Sequence, residues 1–409
     1  MSAVQVYLAV RLPGGPDGMS DLHVYLGGVS TLLQGGTLYD FVSFNGDQFV
    51  YPPVAGLVLM PLMALSEPTV RVLWTLAQCL EVAVLAWMVA LRASHPALAR
   101  VPRRVAVPAL ACLLMVSTPV FTGLVLGQAS LLITVLALLD VLDLTPRRLR
   151  GIPLGLAAAI KLTPLAFLPY LWLTGRRRAA GMAAATFATA TALAWLVLPE
   201  SSRIFWGSAL TASDFVNLAQ ADNASLQGLL ARLDIAGLAR ATVLVIGVPA
   251  VALLAYRRSR MAYQSGEVLT GAVIVGAMAV VVSPVSWSHH QTWLVLAGLC
   301  ALSYRSAVVL GVWTALVCLL VVLPFQVVLH RAWPAANPVT DNIIVLLALA
   351  VACALPFRWG PGAPARPPLL TGSEGYDTWS RTEARANAVG PESSKVARPG
   401  LSERGRSTR

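Results

Sequence analysis

Three short stretches of the sequence hold side chains whose types and spacing suit chemistry. The first, SDLHVYLGGVSTLLQGGTLYDFVSFNGDQFVYPP, begins at Ser20 and carries Asp21, Tyr25, Asp40 and Asp47, with no Lys or Arg between residues 13 and 67. A carboxylate at Asp21, just where apolar residues begin to recur at helical spacing, serves either as a helix cap or as a general base. The second, SPVSWSHHQTW at 283–293, sets His289 and His290 between Trp287 and Trp293. Adjacent histidines project from different sides of a helix, so they suit separate hydrogen bonds better than joint chelation of a metal. The third, AAAIKLTPLAF at 157–167, carries Lys161, whose only fellow lysine is Lys395. In a chain that otherwise uses Arg, such a residue is either a snorkelling anchor or a point-charge contact to phosphate. Gln128 (in VLGQASLL) and Asn223, Ser225 and Gln227 (in DNASLQGLLARL) are neutral groups that suit sugar hydroxyls or helix caps. The five cysteines, Cys79, Cys112, Cys300, Cys318 and Cys353, stand singly in apolar runs and form no metal or disulfide pattern.

The elements that must position these residues belong in a bilayer. Of 409 residues, 57% are hydrophobic and only 12% charged, against about 25% charged in a soluble domain. Mean hydropathy is +0.70. The apolar runs are continuous rather than alternating, which predicts membrane helices and not barrel strands. The net charge of +11 does not describe a nucleic-acid surface, because the arginines fall in short clusters between apolar runs. That is the pattern that sets membrane orientation.

Placing the clusters around Arg92–Arg104, Arg147–Arg150, Arg176–Arg178, Arg257–Arg260 and Arg305 in the cytoplasm predicts crossings at 68–92, 105–118, 129–144, 179–198, 237–256, 266–284, 291–304, 306–325 and 342–356. Residues 151–160 and 163–175 form a hairpin with Lys161 at its tip, and 117–128 and 284–292 read as tight outer turns. Pro52–Ser66 is apolar, but as a helix it reaches only about 22 Å against a core of about 30 Å. It is therefore expected in plane or re-entrant on the outer face. Asp140 and Asp143 are expected to pair with Arg147 and Arg148. The expected fold class is an all-α polytopic helical membrane protein with about 11–12 transmembrane helices. The domain expectation is one membrane domain over 1–356 and a disordered, basic cytoplasmic tail over 357–409, whose Pro, Gly, Ser and Arg content is too polar to fold.

Taken together, DLHVY, LYD and YPP in the acidic loop, then GQ, IKLTP and SPVSWSHH, resemble glycosyltransferase family 87 of the GT-C superfamily over about residues 17–356. The similarity is strongest to actinobacterial α-(1→2)-mannosyltransferases that extend phosphatidylinositol mannosides or branch lipomannan. The resemblance implies a multi-pass protein of the plasma membrane with an outer-face active site. It also implies a polyprenol-phosphate mannose donor, a glycolipid acceptor and an Asp of the first outer loop as base, which by position is Asp21. The family normally starts with a complete helix before this loop. Only Met1–Val10 is apolar here, so the expectation is a start codon placed too late. Under this reading His289, His290 and Lys161 hold the donor phosphate, while Tyr25, Gln128, Asn223, Gln227 and Trp287 contact sugar or acceptor. No metal, cofactor, nucleic acid or protein partner is called for; the partners are the donor, the acceptor and membrane lipids.

Two alternatives remain at this level: a polyprenol-phosphate-arabinose-dependent arabinofuranosyltransferase with the same layout, and a lipid transporter or flippase. The transporter predicts internal repeats and ionisable groups near mid-membrane, whereas the unusual polar groups here gather at one interface. The layout is checked by single-cysteine labelling in a cysteine-free background. Positions 35–48 and 285 should label from outside and position 177 only from inside; outside labelling at 177 would overturn the assignment.

Overall fold

The structure is a computed structural model that describes residues 18–95, 98, 100–209, 218–300, 302, 307–322 and 340–357. The expected half-crossing Met1–Val10 and the tail beyond 357 lie outside the described residues. Those described form an all-α architecture, with isolated bridges (Val42 with Gln48, Leu302 with Phe357) in place of strands. In chain order the helices are α1 (Ser20–Leu33), α2 (Pro53–Leu59, continued by a 3₁₀ turn to Ala64), α3 (Glu67–Arg92), α4 (Arg103–Val116), α5 (Thr118–Leu126), α6 (Ser130–Val141) and α7 (Ile152–Ile160). Then come α8 (Phe167–Leu173, after the 3₁₀ turn Thr163–Ala166), α9 (Arg177–Val197), α10 (Pro199–Ile204), α11 (Leu226–Arg232), α12 (Gly237–Gln264) and α13 (Val268–Val282). The series ends with α14 (Thr292–Ala297), α15 (Ala307–Val322) and α16 (Ile343–Leu349).

Among the described residues, α3, α9 and α12 are each long and apolar enough to span a membrane; α4 and α5 together make a fourth such length, bent by 68°. The other apolar helices are shorter than the crossings expected for them. The stretch 117–128, expected as a turn, is mostly the helix α5: Pro119 in its first turn supplies a preset φ and needs no N–H partner there. α13 shows what buries the centre. Twelve of its fifteen residues are buried, Leu269 to Val281, with small Gly271, Ala272, Gly276 and Ala277 letting neighbours approach closely. Trp293 of α14 lies against Gly276 where any side chain would collide with its ring.

Breaks between these helices carry several of the polar side chains that matter below. α1 starts after Met19, which is left-handed (φ 54) and supplies no side-chain cap. The Met19 N–H instead donates to Val125 O at 3.0 Å, stitching α1 to the end of α5. α5 stops at Gly127 (φ +70), where a Cβ would sit 2.8 Å from Leu22 Cβ and 3.2 Å from Met19 Cβ. At the other end of the α7–α8 hairpin, Asp143 pairs with Arg150 at 3.2 Å and Arg176 at 3.5 Å, and Asp140 accepts the Leu154 N–H at 2.9 Å. The expected partners Arg147 and Arg148 are thus replaced by a later turn of chain, which brings both a closer cation and a helix N-terminus to the two acids.

Gly127→Ala should therefore cost roughly 1–3 kcal/mol from a left-handed backbone and overpacking against α1, lowering the thermal midpoint in detergent. Gly181→Ala, on α9 with nothing within 4 Å of the added carbon, should leave that midpoint unchanged or raise it.

Candidate active site

Asp21 lies inside the first turn of α1, past the capping position, and is half-buried. Its partner comes from far along the chain. The Gln128 Nε2–H donates to Asp21 Oδ2. The Gln128 Oε1 accepts from Tyr25 at 2.9 Å, Tyr51 at 3.0 Å and Ser130 at 3.3 Å. The opposite amide orientation would set oxygen against carboxylate, so the network itself fixes which end of the amide faces which partner. Tyr25 also lies 2.9 Å from the Tyr51 hydroxyl, with the two rings edge to face at 5.1 Å. Local geometry explains the reach: Gly127 turns the chain, the Gln128 N–H closes on Gly123 O at 2.8 Å, and the Gln128 side chain is left aimed at the start of α1.

Lys161 ends α7 in extended conformation (φ −148, ψ 130). Its amine donates to Tyr51 at 3.3 Å and to Ser130 at 3.4 Å, and lies 2.7 Å from His290 Nε2. The Trp287 N–H donates to His290 Nδ1 at 3.1 Å, which puts a neutral His290's proton on Nε2. An ammonium and an Nε2–H then face each other with no acceptor between them. An anion inserted here lets both groups donate at once. His289, 5% exposed, packs beside His290 with ring centroids 4.3 Å apart. Burial, helped by the nearby Lys161, pulls both imidazoles well below their usual range. Burial likewise pushes the Asp21 carboxyl up to about 6; Gln128 and Lys161 oppose that rise and Asp47 adds to it.

A cavity of about 50 Å³ opens beside this chain of contacts. Its lining changes along each helix that borders it. On α6 it runs from Ser130 to Thr134 to Ala137, on the hairpin from Lys161 to Pro164 to Phe167, and from His290 to Trp293 at the start of α14, with Gly276 and Val280 of α13 opposite. Polar groups gather toward one end of the lining and apolar ones toward the other, a division that suits an anionic headgroup on a hydrocarbon chain.

Six of the sequence-derived candidates therefore converge: Asp21, Tyr25, Gln128, Lys161, His289 and His290. Tyr25 contributes through the network, since its ring is buried and its hydroxyl is engaged. Trp287 supplies a backbone donor to His290. Asn223 is fully buried away from the cavity, and its amide is consumed by the chain. Its Oδ1 accepts the Ser225 N–H at 3.2 Å and the Ser286 N–H at 3.0 Å, and its Nδ2 donates to Leu218 O at 3.0 Å. It braces the SPVSW loop that presents the histidines, with Ser225 donating to Pro284 O at 3.1 Å. Gln227 accepts from Arg240 at 3.2 Å, also outside the cavity lining. Sequence reasoning overlooked Tyr51, Ser130 and Gln78. Tyr51 was visible only as part of YPP, and Ser130 only as a helix start two residues past Gln128.

Comparison with known proteins gives this arrangement its family. The model of glycosyltransferase family 87 matches residues 49–284. The chain belongs to glycosyltransferase family 87. Family 87 membership makes it a glycosyltransferase, and the matched segment holds Tyr51, Gln128 and Lys161, with Asp21 before it and the histidine pair just after. A curated polyprenol-phosphate-mannose-dependent alpha-(1-2)-phosphatidylinositol mannoside mannosyltransferase of Mycobacterium tuberculosis is 34% identical over 306 residues, 70% of this chain and 71% of that protein. A polyprenol-phosphate-mannose-dependent alpha-(1-2)-phosphatidylinositol pentamannoside mannosyltransferase of Mycolicibacterium smegmatis is 33% identical over 288 residues, 67% of each chain. No solved structure matches.

Asp21→Asn keeps the side chain's shape but removes its capacity to take a proton. Sugar transfer should fall at least about a hundredfold with the thermal midpoint near wild type, while Asp40→Asn and Asp47→Asn retain most activity. A working base must be ionised, so kcat/KM should be lost as pH falls through about 6 and recover above it. A profile flat across that range, together with an active Asp21→Asn, would remove Asp21 from the role.

Proposed function

We propose that this family 87 enzyme transfers mannose from a polyprenol-phosphate mannose to a glycolipid of the phosphatidylinositol-mannoside type. The transfer takes place at the outer face of the plasma membrane and forms an α-(1→2) linkage with inversion. The observation that carries the reading is the joining of Asp21 to Lys161 through Gln128 and Tyr51, with the amphipathic cavity at the lysine end. The activities for which the relatives are named support the sugar, the donor and the acceptor class.

In this mechanism Asp21 takes the proton from the acceptor hydroxyl as that oxygen attacks the anomeric carbon of a β-linked mannosyl phosphate. The new C–O bond forms as the bond to the phosphate oxygen breaks, and the electron pair leaves on the lipid phosphate. One displacement inverts the centre, so a single carboxylate suffices, whereas the glycoside hydrolases use a pair. Lys161, His290 and His289 are the donors available to the charge that develops on the phosphate. The apolar part of the lining, Ala137, Phe167, Val280 and Trp293, suits the first units of a polyprenyl chain. After transfer Asp21 gives up its proton to outer solvent.

The test supplies membranes with labelled polyprenol-phosphate mannose and, separately, phosphatidylinositol-mannoside and lipomannan acceptors. Product with a new α-(1→2)-mannose on the first acceptor is expected; turnover of a polyprenol-phosphate arabinose and not of the mannose donor would overturn the reading. Lys161→Ala should raise the donor KM severalfold or more, and Lys161→Arg should restore it in part, since the two cations differ in hydration and donor geometry. Unchanged donor kinetics in Lys161→Ala would return that residue to interfacial anchoring.

A further inference from the structure

Gln78 is 3% exposed on α3, while Leu76 and Leu80 on either side of it are 61% and 64% exposed. A buried carboxamide on a spanning helix is costly unless its groups are engaged. Its Nε2 donates to Gly123 O at 3.3 Å and to Gln128 O at 3.0 Å, which clamps the chain on both sides of the Gly127 turn. That turn aims Gln128 at Asp21. The other end of the amide, Oε1, is buried without a protein hydrogen bond, and so is Nδ1 of His289. Gln78 and His289 both line a second, smaller cavity of about 10 Å³, which Gly123, Ser130 and Thr292 also border. A space of about that volume with at least two polar partners is what one buried water needs.

We propose that one water bridges Gln78 Oε1 and His289 Nδ1, making Gln78 the positioning residue for both halves of the site. In the proposed arrangement the water donates one hydrogen to each of the two atoms, as distinct from an Nδ1–H that donates to the water oxygen. An Nδ1 that accepts leaves the proton of a neutral His289 on Nε2. His289 also lines the larger cavity, so the ring offers that cavity an N–H donor and not a lone pair. The same amide that holds Gln128 behind the base thereby sets the polarity of a donor to the leaving group; this last step alone rests on the lipid-phosphate reading.

The test is ¹⁵N NMR of the full chain in detergent with labelled histidine, the His289 signals being assigned by their loss in His289→Gln. Wild type should show His289 unprotonated at Nδ1 and protonated at Nε2. Gln78→Met keeps the side chain's length but removes donor and acceptor. It should convert His289 to a mixture of tautomers and lower kcat at least about tenfold by slackening the turn, with Leu80→Ala unchanged in both readouts. Should Gln78→Met fail to fold, Gln78→Asn, too short to hold both clamp and water, is read the same way. A wild-type His289 protonated at Nδ1, a tautomer that does not respond to the Gln78 change, or an unaltered kcat overturns the proposal. The tautomer readout needs no substrate, so it stands or falls independently of which sugar the enzyme transfers.

Discussion

The Gln128 carboxamide is the contact on which the arrangement of this site depends. An amide has one end that only donates and one that only accepts, and here the two ends face groups of opposite need: a carboxylate on one side, two phenols and a serine on the other. Each partner is thereby given a direction. The Tyr51 proton points to Gln128, which leaves the Tyr51 oxygen to accept from Lys161. Hydrogen bonds in a low-dielectric setting polarise one another along such a chain, and a member left unpaired is expensive. The chain runs in one sense from cation to anion, so a charge arriving at the lysine end is felt at the carboxylate.

Many polar groups of this site sit where the backbone breaks, because irregular backbone at membrane depth is tolerated when it lines a cavity and finds other partners; Gln78, inside α3, is held by carbonyls at one such break. The three breaks that form the site each follow this rule. At Gly127 the Gln78 amide bonds to the Gln128 carbonyl and to that of Gly123, which also accepts the Gln128 N–H. At the hairpin tip Lys161 is extended and Pro164 opens the following 3₁₀ turn. In the SPVSW loop Asn223, Ala224 and Ser225 satisfy Ser286 and Pro284, none of them close in sequence. Helices shortened by these breaks account for the difference between the continuous crossings read from hydropathy and the shorter segments seen.

What the sequence made legible follows from what local pattern can encode. Apolar runs and arginine clusters place α3 and α9 within two residues at each end and α12 at its start, since both signals are local; α12 runs on past the expected 256 to Gln264, carrying Arg257, Arg258 and Arg260 in its last turns. Asp21, Lys161 and the histidine pair stand out because their residue types are rare in such a chain. Tyr51 and Ser130 do not, being ordinary neighbours of a proline pair and a helix start; their roles exist only through contacts to residues 77 and 31 positions away. Asn223 shows the opposite failure. A polar residue in a loop looks available for sugar, yet its amide closes on backbone 63 residues later. Asp140 and Asp143 likewise pass over the nearest arginines for partners that the hairpin delivers.

The three acids of the first loop show why residue type alone does not choose a base. Asp40 is exposed and accepts the Thr37 N–H at 2.7 Å, a turn contact that occupies the carboxylate. Asp47 is exposed to solvent and acts on Asp21 only through its charge. Asp21 alone is carried into the protein, where burial raises its affinity for a proton and Gln128 and Lys161 limit the rise. Those opposing effects set a carboxyl near 6, ionised at neutral pH yet basic enough to receive a hydroxyl proton as the oxygen attacks. A carboxylate in the cavity would repel the departing phosphate and compete for the same cations. Among the described residues, the cavity is lined by one lysine and two imidazoles and by no acid. The single carboxylate, Asp21, stands outside the lining and is joined to that lysine through Gln128 and Tyr51, a charge arrangement that fits a displacement in which the nucleophile loses a proton at one end while negative charge collects at the other.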